Sequence, residues 1–118
     1  MMNHILLIDD NEANRVTLSA LLETEDFVVT QASSMAEARG LLTTASSFDL
    51  ILLDRHLRDG LGVELIPVIR SRLPKAKIIV ISGCSSAAEG NVAEDTDGVF
   101  GKGEHLDGLL DKIHALLS

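Results

Sequence analysis

The chain has 118 residues, of which 46% are hydrophobic and 24% are charged, so it has the composition of one folded domain without a disordered tail. Its 10 basic and 18 acidic residues give a formal net charge of −8, and it has no Trp or Tyr, which disfavours a nucleic-acid surface and an anionic membrane face. We expect a cytoplasmic protein, because the one cysteine, Cys84, allows no internal disulfide, and because neither a signal peptide nor an apolar run of ~18 residues is recognisable.

Short apolar runs alternate with longer segments of helical period along the chain. Most of these runs are continuously apolar, which is typical of parallel strands that are covered on both faces. The second run is the expected edge strand. The five predicted strands are Ile5–Ile8, Phe27–Thr30, Leu50–Leu53, Ile78–Ile81 and Val99–Phe100.

Helices are predicted between the runs. Asn11 can cap a first helix that extends to about residue 25, with Val16, Ala20 and Leu21 among its inward positions. The run Ser34-Met35-Ala36-Glu37 has the spacing of a capping box, in which the hydroxyl and the carboxylate satisfy N–H groups at the start of a helix.

A third and a last helix complete the pattern. The third is predicted over Val63–Ser71, where Pro67 requires either a late start or a kink. Segment 84–96 predicts only a short or frayed helix. The last helix carries a single apolar stripe, formed by Leu106, Leu109, Leu110, Ile113, Leu116 and Leu117.

This alternation predicts a doubly wound α/β sandwich with a five-stranded parallel sheet, whose ligands bind at the carboxyl ends of the strands. Asp9 and Asp10 follow the first strand, Asp54 the third, Ser82 the fourth and Lys102 the fifth. Three carboxylates at one edge repel one another unless a cation compensates them or one stays protonated. An all-oxygen ligand set selects a hard cation such as Mg²⁺. The pattern therefore predicts phosphoryl transfer onto a carboxylate, with the hydroxyl and ammonium groups on the phosphoryl oxygens.

Four strand-end motifs, in order along the chain, resemble the receiver domain of two-component response regulators. They are Ile5–Asn11, Asp49–Asp54, Ile79–Gly83 and Gly98–Lys102. The resemblance implies a CheY-like, flavodoxin-like (βα)5 fold and a single receiver domain over residues 1–118. It also implies a protein that catalyses only its own phosphorylation and dephosphorylation and is otherwise not an enzyme.

The same resemblance implies a role for each motif residue. Asp54 would be the phosphoacceptor. The implied Mg²⁺ ligands are Asp9, Asp10, Asp54 and the backbone carbonyl of His56. The implied phosphoryl-binding and switch residues are Ser82, Gly83, Phe100 and Lys102. His56 and Cys84 each lie two positions after a site residue, so we expect both at the rim, where side chains can orient or exclude the water that hydrolyses the phosphorylated form.

The resemblance also implies partners. A sensor histidine kinase or a histidine phosphotransfer protein would supply the phosphoryl group. Phosphorylation would switch a binding face for a downstream output domain or protein, made of the helix before the fifth strand, that strand and the last helix. No direct contact with nucleic acid or membrane is expected.

The chain departs from the family pattern at three places. Arg58 stands where a proline usually lies four residues after Asp54, and Gly103 stands where a cis proline usually follows Lys102. A cis bond before a non-proline residue costs ~2.5–4 kcal/mol, which favours a trans bond before Gly103. The stretch from Ser82 to Lys102 is also short.

Two alternatives stay open at this point. One is a receiver-like interaction module that is not phosphorylated, for which Gly103 counts slightly. The other, more remote, is a flavodoxin-like electron carrier. Its phosphate loop would be Asp9-Asp10-Asn11-Glu12, which would repel a phosphate without a metal ion.

Overall fold

The computed structural model describes residues 3–44, 47–82, 96–101 and 105–117, with Ser82 described by its backbone alone. Five parallel strands form the main sheet in the order β2-β1-β3-β6-β7, and two short strands form an antiparallel hairpin. The strands are β1 (His4–Ile8), β2 (Val28–Ala32), β3 (Leu50–Asp54), β4 (His56–Leu57), β5 (Gly60–Leu61), β6 (Lys77–Ser82) and β7 (Gly98–Gly101). The helices of the described residues are α1 (Glu12–Thr24), α2 (Met35–Thr44), a 3-10 helix (Gly62–Leu65), α3 (Ile66–Arg72) and α4 (Leu106–Leu117).

The predicted parallel sheet is confirmed, and β2 is an edge strand as expected. From β1 the chain continues to β2 at one edge of the sheet, whereas from β3 it continues through β6 to β7 at the other edge. The order of the strands therefore reverses between β1 and β3. In doubly wound sheets the crevice at this point, at the carboxyl ends of the strands, is where ligands bind.

The two central strands are almost completely buried because helices cover both faces of the sheet. On one face, Leu6, Ile8, Ile51 and Leu53 pack with residues of α2 and α3. On the other face, the alternate residues Ile5, Leu7, Leu50 and Leu52 pack with residues of α1 and α4. Each of these side chains contributes about 1.5–3 kcal/mol through its burial, so the sheet centre is the most strongly held part of the fold.

Helix α1 begins as predicted but faces the sheet with other residues. The Asn11 side chain accepts a hydrogen bond of 2.9 Å from the Asn14 N–H group, which caps the helix. The prediction that Val16 and Ala20 face inward is wrong: Val16 is 57% exposed and Ala20 is exposed too, whereas Leu18 and Leu22 are buried. Successive residues of an α-helix are about 100° apart, so the phase that buries the two larger leucines turns positions 16 and 20 toward solvent.

The remaining helices follow their sequence signals. Pro67 occupies the second position of α3, where its missing N–H group removes no helical hydrogen bond, so α3 starts late and is preceded by the 3-10 helix. Helix α4 buries Leu109 and Ile113 of its predicted stripe. Most of segment 84–96 lies outside the described residues. None of the described helices is long and apolar enough to cross a membrane.

Candidate metal centre at the carboxyl edge of the sheet

Three carboxylates meet where β1 and β3 end. Ile8 lies opposite Leu53 in the register of the two strands, so Asp9 and Asp54 follow at the same level. Each lies two positions after a strand residue that faces α1 and α4, Leu7 or Leu52, so both point to that side of the sheet, and they are only 1% and 3% exposed. One carboxylate oxygen from each of Asp9, Asp10 and Asp54 lies within 4.8 Å of the others.

Asp9 is held by the start of α1 and keeps one oxygen for a ligand. Its Oδ1 accepts a hydrogen bond of 2.9 Å from the Asn11 N–H group, and its backbone carbonyl accepts one of 2.7 Å from Arg15 Nη1. Its Oδ2 is buried and accepts no hydrogen bond from the part of the chain that the structure describes. A buried carboxylate oxygen without a donor is unfavourable unless a cation binds it.

Asp54 is fixed by the backbone on both sides of it. It pairs with Ile81 of β6, and the following N–H group, of Arg55, donates a hydrogen bond of 2.9 Å to the Ile81 carbonyl. The His56 N–H group makes a long hydrogen bond of 3.4 Å to Asp54 Oδ1. The backbone that carries the carboxylate is therefore rigidly held by the sheet.

These residues fit a hard divalent cation. All three side chains offer oxygen atoms, which suit Mg²⁺ or Ca²⁺. The buried Asp9 Oδ2, which accepts no hydrogen bond from the described residues, could bind such an ion. One half-buried carboxylate, that of Asp10, leaves the site open toward solvent. The geometry of the three side chains is therefore that of a shallow cation site with room for further oxygen ligands.

A cavity of about 230 Å³ adjoins the site between α1, α4 and the ends of the strands. Asp9, Thr17, Leu18, Phe100 and Leu106 contribute to its lining. Phe100 is only 2% exposed and packs in the same core as Leu18. The aromatic ring thus lies on the same side of the sheet as Asp9 and Asp54.

The hairpin β4–β5 after Asp54 escaped the sequence prediction. Its turn is tied to α2, because the Asp59 carboxylate accepts hydrogen bonds from the N–H groups of Met35 at 2.9 Å and Ala36 at 3.2 Å. The first of these bonds is the main cause that lowers the pKa of Asp59. The dipeptide Asp59-Gly60 is a turn signal that could have indicated the hairpin.

The predicted capping box at α2 is present in altered form. The Glu37 N–H group donates a hydrogen bond of 3.1 Å to Ser34 Oγ, as expected. The Glu37 carboxylate, however, accepts from the N–H and hydroxyl groups of Ser33 rather than from Ser34. The Ser33 N–H group is the main cause that lowers the pKa of Glu37.

The structure brings only part of the predicted site together. Asp9, Asp10 and Asp54 converge, Phe100 is buried nearby, and His56, two positions after Asp54, is exposed. Gly83, Cys84, Lys102 and Gly103 lie outside the described residues. The side chain of Ser82 does so too, although its backbone pairs with Gly101 at the end of β6.

The sequence pattern of the response regulator receiver domain matches residues 5–114 of the chain. The cell cycle transcriptional regulator CtrA of Caulobacter vibrioides is 31% identical over 116 residues, which are 96% of this chain and 49% of that protein. The photosynthetic apparatus regulatory protein RegA of Cereibacter sphaeroides is 32% identical over 84 residues, which are 71% of this chain and 45% of that protein. The chain thus spans about half the length of these curated relatives.

Solved structures agree. The response regulator TrrA of Thermotoga maritima, in complex with Mg²⁺ and BeF, is 28% identical with a TM-score of 0.88, over 98% of this chain and 100% of that one. A response regulator of Burkholderia pseudomallei with a phosphorylated aspartic acid, calcium ion and citrate is 32% identical with a TM-score of 0.84, over 98% of this chain and 66% of that one.

The fold and the site define a doubly wound α/β protein with a candidate cation site at the carboxyl ends of its strands, where proteins of this architecture bind their ligands. The chain belongs to the response regulator receiver domain family of two-component signalling. This assignment removes the support for the flavodoxin-like electron carrier.

Proposed function

We propose that this receiver domain, which takes up the whole of residues 1–118, accepts a phosphoryl group on Asp54 in a Mg²⁺-dependent reaction. One observation carries the proposal: three carboxylate oxygens lie within 4.8 Å, and the buried Asp9 Oδ2 lacks a donor among the described residues. Asp9, Asp10, Asp54 and the His56 carbonyl would hold the ion. Bound Mg²⁺ would offset the charge of the carboxylates and of an incoming phosphoryl oxygen.

Asp54 supplies the nucleophile. One of its carboxylate oxygens bonds to phosphorus while the bond from phosphorus to the donor's imidazole nitrogen or acyl oxygen breaks, and the donor leaves with that electron pair. The product on the chain is an acyl phosphate. Strand β3 and the Arg55–Ile81 hydrogen bond fix the backbone of Asp54, so its carboxylate needs little reorientation before it reacts. Such positioning of the reacting groups is a main contribution of a protein to phosphoryl transfer.

The phosphorylated state would then be recognised by four residues. Ser82 and Lys102 bind the phosphoryl oxygens, Gly83 leaves their entrance open, and Phe100 is the aromatic residue that changes position. The cavity of about 230 Å³ beside Phe100 supports this assignment, because it gives the neighbouring side chains space to rearrange. Partners would be a histidine kinase or a histidine phosphotransfer protein on one side and an output domain or protein on the other, all in the cytoplasm.

Intact-mass measurements with a small phosphodonor test the proposal. With acetyl phosphate and Mg²⁺, the chain should gain the mass of one phosphoryl group, and excess chelator should prevent it. Asp54→Asn should abolish the gain. Asp49→Asn is the matched control, because Asp49 is an exposed acid at the opposite end of β3, bonded to the His4 N–H group at 2.8 Å. If Asp54→Asn still gained the mass of one phosphoryl group, Asp54 would not be the phosphoacceptor. If neither the wild type nor any variant gained that mass, the unphosphorylated interaction module would be favoured.

A further inference from the structure

The hairpin that follows Asp54 has little to hold it in place by itself. Each of its strands has two residues, and an isolated hairpin of this size is marginal in water. Leu57 is its one buried side chain, while His56, Asp59 and Leu61 are exposed. Arg58 occupies a position where the family usually has proline, so no ring fixes the backbone of the turn.

The turn is instead joined to the first residues of α2. Both oxygens of the Asp59 carboxylate are engaged, Oδ1 by the Met35 N–H group at 2.9 Å and Oδ2 by that of Ala36 at 3.2 Å. These two N–H groups belong to the first turn of the helix and have no partner within it. We name this pair of hydrogen bonds the Asp59 bridge. A β-carbon on Gly60 would also overlap Met35 Sδ, so the turn and the helix start are in close contact.

The opposite end of the hairpin contacts the phosphoacceptor itself. The Gly62 N–H group donates a hydrogen bond of 2.7 Å to the Arg55 carbonyl, which closes the base of the hairpin. Gly62 also lies so close to Asp54 that a β-carbon there would overlap the Asp54 carbonyl oxygen. His56, which contributes the expected carbonyl ligand, is paired with Leu61 across the hairpin. A displacement of the turn would therefore reach both sides of the metal centre.

We propose that Asp59 is a positioning residue of the metal centre, which holds the β4–β5 hairpin against α2 and thereby keeps His56 and Asp54 in the arrangement that binds Mg²⁺. The inference rests on the proposed Mg²⁺-dependent function. It extends the site by an exposed residue that touches neither the ion nor the phosphoryl group.

Glu37 provides a matched control for Asp59. It is also an acid at the start of α2 that accepts hydrogen bonds there, but its partner is Ser33 and it does not touch the hairpin. Asp59→Ala and Glu37→Ala should both lower the melting temperature, since both remove bonds at the helix start. Only Asp59→Ala should weaken Mg²⁺ binding in a calorimetric titration, by roughly threefold to tenfold, which is less than the loss of a direct outer-shell partner. Asp59→Asn, whose amide oxygen can still accept, should recover most of the affinity.

Amide hydrogen exchange gives a readout without metal. In the metal-free protein, Asp59→Ala should speed exchange of the Gly62 amide but not of the buried Ile113 amide in α4, and Glu37→Ala should change neither selectively. Equal Mg²⁺ affinity and equal Gly62 exchange in Asp59→Ala and the wild type would overturn the inference. Equal weakening in both alanine variants would overturn it too, because general destabilisation would then be the cause. If the wild type bound no Mg²⁺, the proposed function would fail, and Gly62 exchange would still decide whether Asp59 holds the hairpin.

Discussion

Replacing Gly62 by alanine should strongly destabilise this receiver domain, although the change adds one methyl group. The added β-carbon would overlap the Asp54 carbonyl oxygen and lie 3.1 Å from both the Asp54 carbonyl carbon and Leu53 Cδ1. These atoms cannot move aside easily, because β3 is fully buried and is paired with β1 and β6. The requirement for glycine at position 62 is one of space.

The expected loss can be estimated from the neighbours that must shift. Overpacking of a rigid core costs about 1–3 kcal/mol, and the rigid backbone contact here places Gly62→Ala near about 3 kcal/mol. For a domain of 118 residues, 1 kcal/mol changes the melting temperature by about 4 °C, so the expected decrease is about 12 °C. Phosphorylation of Asp54 should slow as well, since the strand end that carries it must move.

Two other glycines serve as controls in the same differential scanning calorimetry experiment. Gly40 in α2 and Gly108 in α4 have no atom within 4 Å of an added β-carbon. Alanine favours a helix over glycine by about 0.5–1 kcal/mol, so Gly40→Ala and Gly108→Ala should raise the melting temperature by about 2–4 °C. If Gly62→Ala melted within about 2 °C of the wild type, the close approach of Gly62 to Asp54 would be refuted.

Three further predictions concern the site and its surroundings. Asp10→Asn removes one of three crowded carboxylates, so it should raise the melting temperature of the metal-free protein. It should also reduce the stabilisation by Mg²⁺, which in the wild type should reach about 2.7 kcal/mol in the free energy of unfolding at a hundredfold excess over the dissociation constant. Identical melting of the wild type with Mg²⁺ and with chelator would contradict the site. The lowered pKa of Asp59 means that its carboxylate stabilises the folded state fully above about pH 5 and that this contribution is lost as the pH falls below about 4. The difference in melting temperature between the wild type and Asp59→Asn should therefore shrink in acid, and a constant difference would contradict the Asp59 bridge. His56→Ala and Cys84→Ala should each change the decay rate of the phosphorylated form, followed by intact mass at fixed Mg²⁺ and pH, whereas three equal rates would show that these residues do not control hydrolysis.

The sheet and the carboxylate cluster could be predicted because strong, local signals encode them. Continuous apolar runs such as Leu50–Leu53 can be satisfied only between two helical layers, and an acid directly after such a run must lie at the carboxyl edge. The phase of α1 could not be predicted in the same way. Apolar residues at 16, 18, 20, 21 and 22 surround much of the helix, so contact with the sheet, rather than local pattern, decides which of them are buried.

The Asp59-Gly60 turn signal indicates a hairpin, but the Asp59 bridge could not be predicted, for a related reason. The bridge joins Asp59 to backbone N–H groups 23 and 24 residues away, and any backbone N–H group is chemically the same in every sequence. The short distance between Gly62 and the Asp54 backbone likewise depends on the packing of the start of the 3-10 helix against the end of β3, which is a tertiary contact. Motifs identify the side chains that perform the chemistry, whereas the contacts that position them by backbone atoms leave little trace in the sequence.

The proposed ligands of the metal centre are held with unequal strength by the surrounding structure. Asp9 and Asp54 extend from β1 and β3, the most deeply buried strands, so local opening near them requires breaking the sheet. The short β4–β5 hairpin beside them has only one buried side chain, Leu57, and depends on hydrogen bonds such as that between Gly62 and Arg55 at its base and those of the Asp59 bridge. If these residues bind Mg²⁺ as proposed, changes in the hairpin should alter the Mg²⁺ affinity without unfolding the domain. The hairpin, rather than the carboxylates, would then be the part of the site where the affinity can be adjusted at low cost in stability.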